Sequence, residues 1–294
     1  MVRLRKEQVL PTDMKFSTIF KAMMNPTHGF YSDSVIENLV PKKRKHAALI
    51  SAPKSGSTWL SSILISLLGW QVMHLLPHFG RREQELDMHR LLLTKRNKNI
   101  ISPGVHTRYS GETTNLLNVG NAHAILQFRS IFDMVVSFKD HMNGESVKWS
   151  MAYMDPDTWK SFNETEQLDF VVDMVVPWYF NFYCGWMDSD FIKNKERALI
   201  VTYEEMKKDT VAVVSKVCKF LGEPKSDDEI RAAIDHSNSL RTRKNKGIVG
   251  RGKSQLNDAQ RQRIIYYTRF YPNIDFTILG IPDEMIPSRR VAAE

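Results

Sequence analysis

The sequence predicts an α/β fold: a central parallel sheet flanked by helices on both faces, with a P-loop-like anion-binding loop at its first strand–helix junction. Three observations predict it. Short apolar runs at 46–50, 122–128 and 198–202 alternate with helical stretches, as parallel strands joined by crossover helices do. The first run passes into Ser51-Ala52-Pro53-Lys54-Ser55-Gly56-Ser57-Thr58-Trp59 and then a helix over 60–68. The second run passes into Arg129-Ser130 and a helix over 131–141, so strand, cationic loop and helix occur twice.

The remaining elements follow in order. Residues 1–40 hold no strong periodic element and read as a leader along the sheet edge, with Pro11, Pro26 and Gly29 as punctuation. Pro41-Lys42-Lys43-Arg44-Lys45 reads as a solvated basic lead-in to the first strand rather than an import signal. Gln71-Val72-Met73 is a short second strand. His74 and His78 have helical metal-pair spacing, but Pro77 breaks that helix and no carboxylate completes a site. Residues 83–93 read as a helix, and Ile100-Ile101-Ser102 as a strand leading to Pro103-Gly104-Val105-His106. Residues 166–190 are helical with an interruption near Pro177, and their aromatics read as core. Tyr203 opens a helix reaching Leu221, residues 227–234 form another, and Asn257 or Asp258 caps a last one through Phe270.

The chain of 294 residues suits one domain, a core over 46–270 between the leader and a tail at 271–294. Its composition, 42% hydrophobic and 25% charged, is that of a globular protein. The net charge of +8 is compatible with nucleic acid or with a polyanionic cofactor. The second fits better, because the cations cluster in candidate loops and no long basic tail occurs. Two cysteines, Cys184 and Cys218, outside any CxxC pair, predict thiols in a reducing, cytoplasmic setting. No secretory leader is evident, and the longest apolar run, near 63–70, is too short to span a bilayer.

The loop after the first strand carries the chemistry. Backbone amides and the positive end of the following helix converge there on one anion site. Ser57 and Thr58 can cap that helix or donate to phosphate, and Lys54 adds a point charge. A Walker A loop carries its lysine after the second glycine, with a hydroxyl for magnesium. Here Lys54 precedes the loop's only glycine, Gly56.

That order resembles the 5′-phosphosulfate loop of sulfotransferases that use 3′-phosphoadenosine 5′-phosphosulfate (PAPS), of the cytosolic and bacterial small-molecule type. Four further segments resemble that family in its order: Gly104-Val105-His106, Arg129 with Ser137, Tyr203-Glu204-Glu205-Met206, and Lys246-Gly247-Ile248-Val249-Gly250. The resemblance, covering about 46–270, implies roles. Lys54 contacts the bridging and sulfuryl oxygens. Ser55, Gly56, Ser57 and Thr58 bind the 5′-phosphate. Trp59 stacks on adenine, with Tyr203 near it. Arg129, Ser137, Lys246 and Gly247 hold the 3′-phosphate. His106 is the catalytic base. The family lysine two positions before that histidine is Gly104 here, and the arginine before Lys246 is Asn245, so Arg243 or Arg251 is expected to supply a guanidinium.

The implied reaction transfers a sulfuryl group from PAPS to a hydroxyl or amine of a small organic acceptor, leaving 3′-phosphoadenosine 5′-phosphate (PAP). An imidazole titrates near neutrality and suits a general base. Sulfuryl transfer needs positioning and charge stabilisation, and no metal. A P-loop nucleotide kinase and a non-catalytic basic nucleic-acid-binding protein are the alternatives. The first would need the absent Walker lysine, and the second would leave His106 and Trp59 without a role. The expected partner is a small-molecule acceptor, with no nucleic acid and no membrane. Acceptor identity and oligomeric state stay open.

Overall fold

Strand β1 (His46–Ser51) is buried along its whole length because both its faces are covered. The computed structural model describes residues 44–75, 85–87, 98–149, 151–239 and 248–286. After β1 come α1 (Ser57–Leu68), β2 (Gln71–Val72), β3 (Ile100–Val105), α2 (Gly111–Val119), β4 (Ala122–Phe128) and α3 (Ile131–Gly144). A hairpin, β5 (Lys148–Trp149) and β6 (Ala152–Tyr153), leads to α4 (Pro156–Ser161), α5 (Glu164–Phe170), α6 (Val176–Asp188) and α7 (Asp190–Lys193). Then follow β7 (Ala198–Thr202), α8 (Tyr203–Lys208), α9 (Thr210–Phe220), α10 (Asp227–Ser239), α11 (Arg251–Gln255) and α12 (Asp258–Tyr267).

The expected α/β architecture is present: β2, β3, β1, β4 and β7 form a parallel sheet in that order. Successive side chains alternate between its faces. Ala47, Leu49 and Ile125 meet Leu60, Ile63 and Leu64 of α1 and the apolar sides of α9 and α10. Ala48, Ile50, Leu126 and Phe128 meet α3, α5, α6 and α12. From β1 the chain reaches β3 on one side and β4 on the other. The loops after these strands diverge, and such a switch point leaves a crevice at their carboxyl ends.

Several expectations need correction. Of the helix expected at 83–93, only 85–87 are described, and they are not helical. The leader at 1–40 and His78 also lie outside the described residues. The basic lead-in is not simply solvated. Arg44 is buried, which lowers its pKa to about 10, and Lys45 bonds Gly222 O and the Glu223 carboxylate. The helix expected from Tyr203 to Leu221 is two helices. Asp209 leaves helical geometry and its side chain accepts from Ala212 N, starting α9. Helix α2, capped by Ser110, was not foreseen, since its apolar residues show no clear period.

Pro177 does not interrupt its helix in the expected way. A π turn, Val171–Val175, joins α5 to α6, and Pro177 sits in the first turn of α6. Proline lacks an N–H and crowds the carbonyl one turn back, and the wider turn absorbs both effects. The aromatics of α6 are core as expected: Tyr179, Phe180, Phe182, Tyr183 and Trp186 are fully buried.

Candidate active site

The candidate residues lie at the carboxyl ends of four adjacent strands. Lys54 to Trp59 follow β1, His106 follows β3, Arg129 follows β4 and Tyr203 follows β7. Ser137 is buried on α3, one turn beyond Asp133, and Arg129 lies in the loop before that helix. Lys246 and Gly247 fall outside the described residues, which resume at Ile248.

Two left-handed residues shape the loop after β1: Lys54 at φ 63° and Gly56 at φ 87°. Gly56 is the N-cap of α1, and no side chain caps that helix. Ser57 and Thr58 are its first helical residues rather than caps, past the position from which a hydroxyl accepts the orphan amides. The uncapped start keeps its positive dipole end for an anion. Gly56 also has no room for a side chain, since a Cβ there would stand 2.6 Å from Tyr203 Cδ2. Tyr203 is set by a capping box: Thr202 Oγ1 accepts from Glu205 N, and the Glu205 carboxylate accepts from Thr202 N. The edges of Tyr203 and Trp59 meet with centroids 6.2 Å apart.

Arg129 ties the segments together. Its Nη1 donates to Lys54 O (3.4 Å) and its Nη2 to Ile248 O (3.0 Å). The guanidinium lies 4.3 Å from the Tyr203 ring centroid, and Nη2 is 3.7 Å from Asp133 Oδ2. The Tyr179 hydroxyl accepts from Arg129 N and lies 3.2 Å from Ser55 Oγ. Burial pushes this phenol up to about 12. Glu204 accepts from Ser130 N, and burial raises its carboxyl above the usual range. Arg251, one candidate for the missing guanidinium, pairs with Asp140 at 2.8 Å, and Arg243 is outside the described residues.

His106 is buried, with Nδ1 2.7 Å from Ser51 O. Gly104, in the place of the family lysine, has φ 58°, a conformation that strains any side-chain-bearing residue.

The site has polar atoms without protein partners. Arg129 Nε, Trp59 Nε1, Ser51 Oγ and Gln127 Nε2 are all buried and unbonded. Orphaned donors at an uncapped helix start fit an anionic nucleotide, because burying them unsatisfied costs about 1–3 kcal/mol each. No cluster of three or more metal-binding side chains occurs among the described residues, and no helix there is long and apolar enough to cross a membrane.

Asp133, Tyr179, Glu204 and Gln127 were not assigned from sequence. Asp133 and Glu204 stand inside segments already singled out, which was the available signal. Tyr179 was one aromatic among seven in a core-like cluster, and Gln127 one polar residue in a buried strand.

A parallel sheet with an uncapped helix start and a buried guanidinium at its carboxyl edge is an anion-binding α/β protein. Its family follows from comparison: the sulfotransferase domain matches residues 44–263, so the chain belongs to the sulfotransferase family. A flavonol sulfotransferase-like protein of Flaveria bidentis is 24% identical over 199 residues, 63% of this chain and 60% of that protein. Sulfotransferase 2A1 of Macaca fascicularis is 25% identical over 237 residues, 77% of each chain. The chain thus spans about 60% of the length of the flavonol relative. Mouse sulfotransferase SULT7A1, solved in complex with PAP, superposes with a TM-score of 0.60 at 17% identity, covering 85% of this chain and 93% of that one. The fold is that of sulfotransferases.

Proposed function

We propose that this chain is a PAPS-dependent sulfotransferase acting on a hydroxyl or amine of a small organic acceptor, with His106 as general base. The observation that carries this reading is the 2.7 Å contact between His106 Nδ1 and Ser51 O. A carbonyl only accepts, so Nδ1 holds the hydrogen and Nε2 is the basic nitrogen of the neutral ring. Ser51 ends β1 and is the root of the Lys54 loop, so the base and the loop share one rigid strand end.

When bound, PAPS supplies a sulfuryl group on a phosphate that leaves with the bonding electrons. The chain's own residues do the rest. His106 Nε2 takes the acceptor's proton. Lys54 and the first amides of α1 offset charge on the 5′-phosphate side, with Ser55, Gly56, Ser57 and Thr58 as cradle. Trp59 and Tyr203 hold the adenine. Arg129 and Ser137, with Lys246 and Gly247, take the 3′-phosphate. A cytoplasmic setting belongs to the same reading, and both cysteines are free and buried.

Calorimetric titration with PAP tests the donor. Wild type binds, and Arg129→Ala binds at least tenfold more weakly, as the loss of a charge-assisted contact of about 1.5–3 kcal/mol requires. Absence of binding by wild type ends the sulfotransferase reading. Screening phenols, alcohols, amines and guanidinium compounds with labelled PAPS identifies the acceptor class.

A further inference from the structure

Asp133 is one helical turn beyond Arg129, in the first turn of α3, where a carboxylate is favoured by the helix dipole. Both its oxygens are committed to a segment 117 and 119 residues away. Oδ2 accepts from Gly250 N at 2.7 Å and Oδ1 from Gly252 N at 2.8 Å. Arg129 Nη2 lies 3.7 Å from the same Oδ2 and donates to Ile248 O at 3.0 Å. Carboxylate and guanidinium therefore grip three polar groups of one short stretch: the carbonyl of Ile248 and the amides of Gly250 and Gly252. Gly250, at φ 86°, turns the backbone so that its amide faces inward. Gly252 lies so close to α3 that a Cβ there would stand 2.4 Å from Phe132 Cβ and 2.6 Å from Phe132 C. Lys246 and Gly247 immediately precede this clasped stretch in sequence.

We propose that Asp133 is a positioning residue that docks the 246–252 loop and orients Arg129, so that it governs affinity for the 3′-phosphate of the nucleotide without touching it. The inference rests on the PAPS reading above. Because the carboxylate serves two amides and steadies one guanidinium, no neutral side chain replaces it. In Asp133→Asn, the carboxamide oxygen still accepts one amide. Its NH₂ then faces the other amide, donor against donor, and the charge beside Arg129 is gone.

The test compares two probes by calorimetry: PAP, and 5′-AMP, which lacks only the 3′-phosphate. Asp133→Asn is expected to weaken PAP binding about 10- to 100-fold, the loss of charge-assisted bonds, and to change 5′-AMP binding less than threefold. Asp133→Glu, which keeps the charge, restores part of the PAP affinity. Should Asp133→Asn not fold, Gly252→Ala displaces the loop from α3 without removing a charge, and the same selective loss is expected. Unchanged PAP affinity in both variants overturns the proposal, as does an equal loss of PAP and 5′-AMP. Failure of the wild type to bind PAP is a different result, since it overturns the PAPS reading itself.

Discussion

Gly56→Ala measures how tightly the anion loop is packed. Two effects add. At φ 87° a Cβ costs about 1–2 kcal/mol of backbone strain. The same Cβ stands 2.6 and 3.0 Å from Tyr203 Cδ2 and Cε2. The ring has little freedom to retreat, with the Arg129 guanidinium 4.3 Å from its centroid and Trp59 at its edge. Overpacking of this kind costs about 1–3 kcal/mol, so the substitution destabilises by roughly 2–5 kcal/mol in all. Tyr203→Ala removes the obstacle and leaves only the backbone strain. Urea unfolding of wild type, both single variants and the double variant, followed by circular dichroism, closes a double-mutant cycle. The double variant is expected to be about 1–3 kcal/mol more stable than the sum of single effects implies. Additivity within about 0.5 kcal/mol would refute the reasoning, because the ring would then not stand against Gly56.

Other outcomes can be measured alongside. His106→Ala should keep wild-type affinity for PAP in calorimetry and lose turnover by about 10²–10⁴-fold; retained turnover rules His106 out as the base. The Tyr179 phenol, raised by burial from 10.0 to about 12, keeps a proton that the unfolded chain releases. Its contribution to stability is therefore complete below pH 10 and lost as pH rises from 10 to 12. Tyr179→Phe should flatten denaturation midpoints over that window, and an unaltered slope counts against the burial argument. His46 is lowered from 6.5 to about 3, chiefly by burial and then by the charge of Arg44. The unfolded chain takes up a proton that the folded chain refuses, so stability falls as pH drops from 6.5 towards 3, by at most about 1.4 kcal/mol per pH unit. His46→Gln should show a shallower acid slope in the same assay.

The elements read best from sequence are those decided locally. β4 and β7 begin and end where their apolar runs do, because strands covered on both faces need no alternation. The loops after β1 and β4 were legible for a related reason: strand, cation, hydroxyl and helix start are consecutive residues. The break at Asp209 was hidden because a capping residue there sits inside an otherwise helical stretch. The role of Tyr179 was hidden for another reason. Its hydroxyl reaches Ser55 and Arg129, which are 124 and 50 residues away, and nothing local separates it from the neighbouring core aromatics. Asp133 is the same case, with partners beyond 100 residues. The uncapped start of α1 escaped because Ser57 and Thr58 are good capping residues, and only the left-handed turn at Gly56 moves them inside the helix.

The π turn at Val171–Val175 makes the site depend on a residue count as well as on residue identities. A π turn holds one residue more than an α turn. Deleting any one residue from it would leave a regular helix and turn everything downstream by about 100°. Tyr179 would then leave Ser55 and Arg129, and a different side of α6 would face the sheet. A single-codon deletion in a stretch of ordinary valines could therefore disable the anion site from a distance, with every charged and catalytic residue still present.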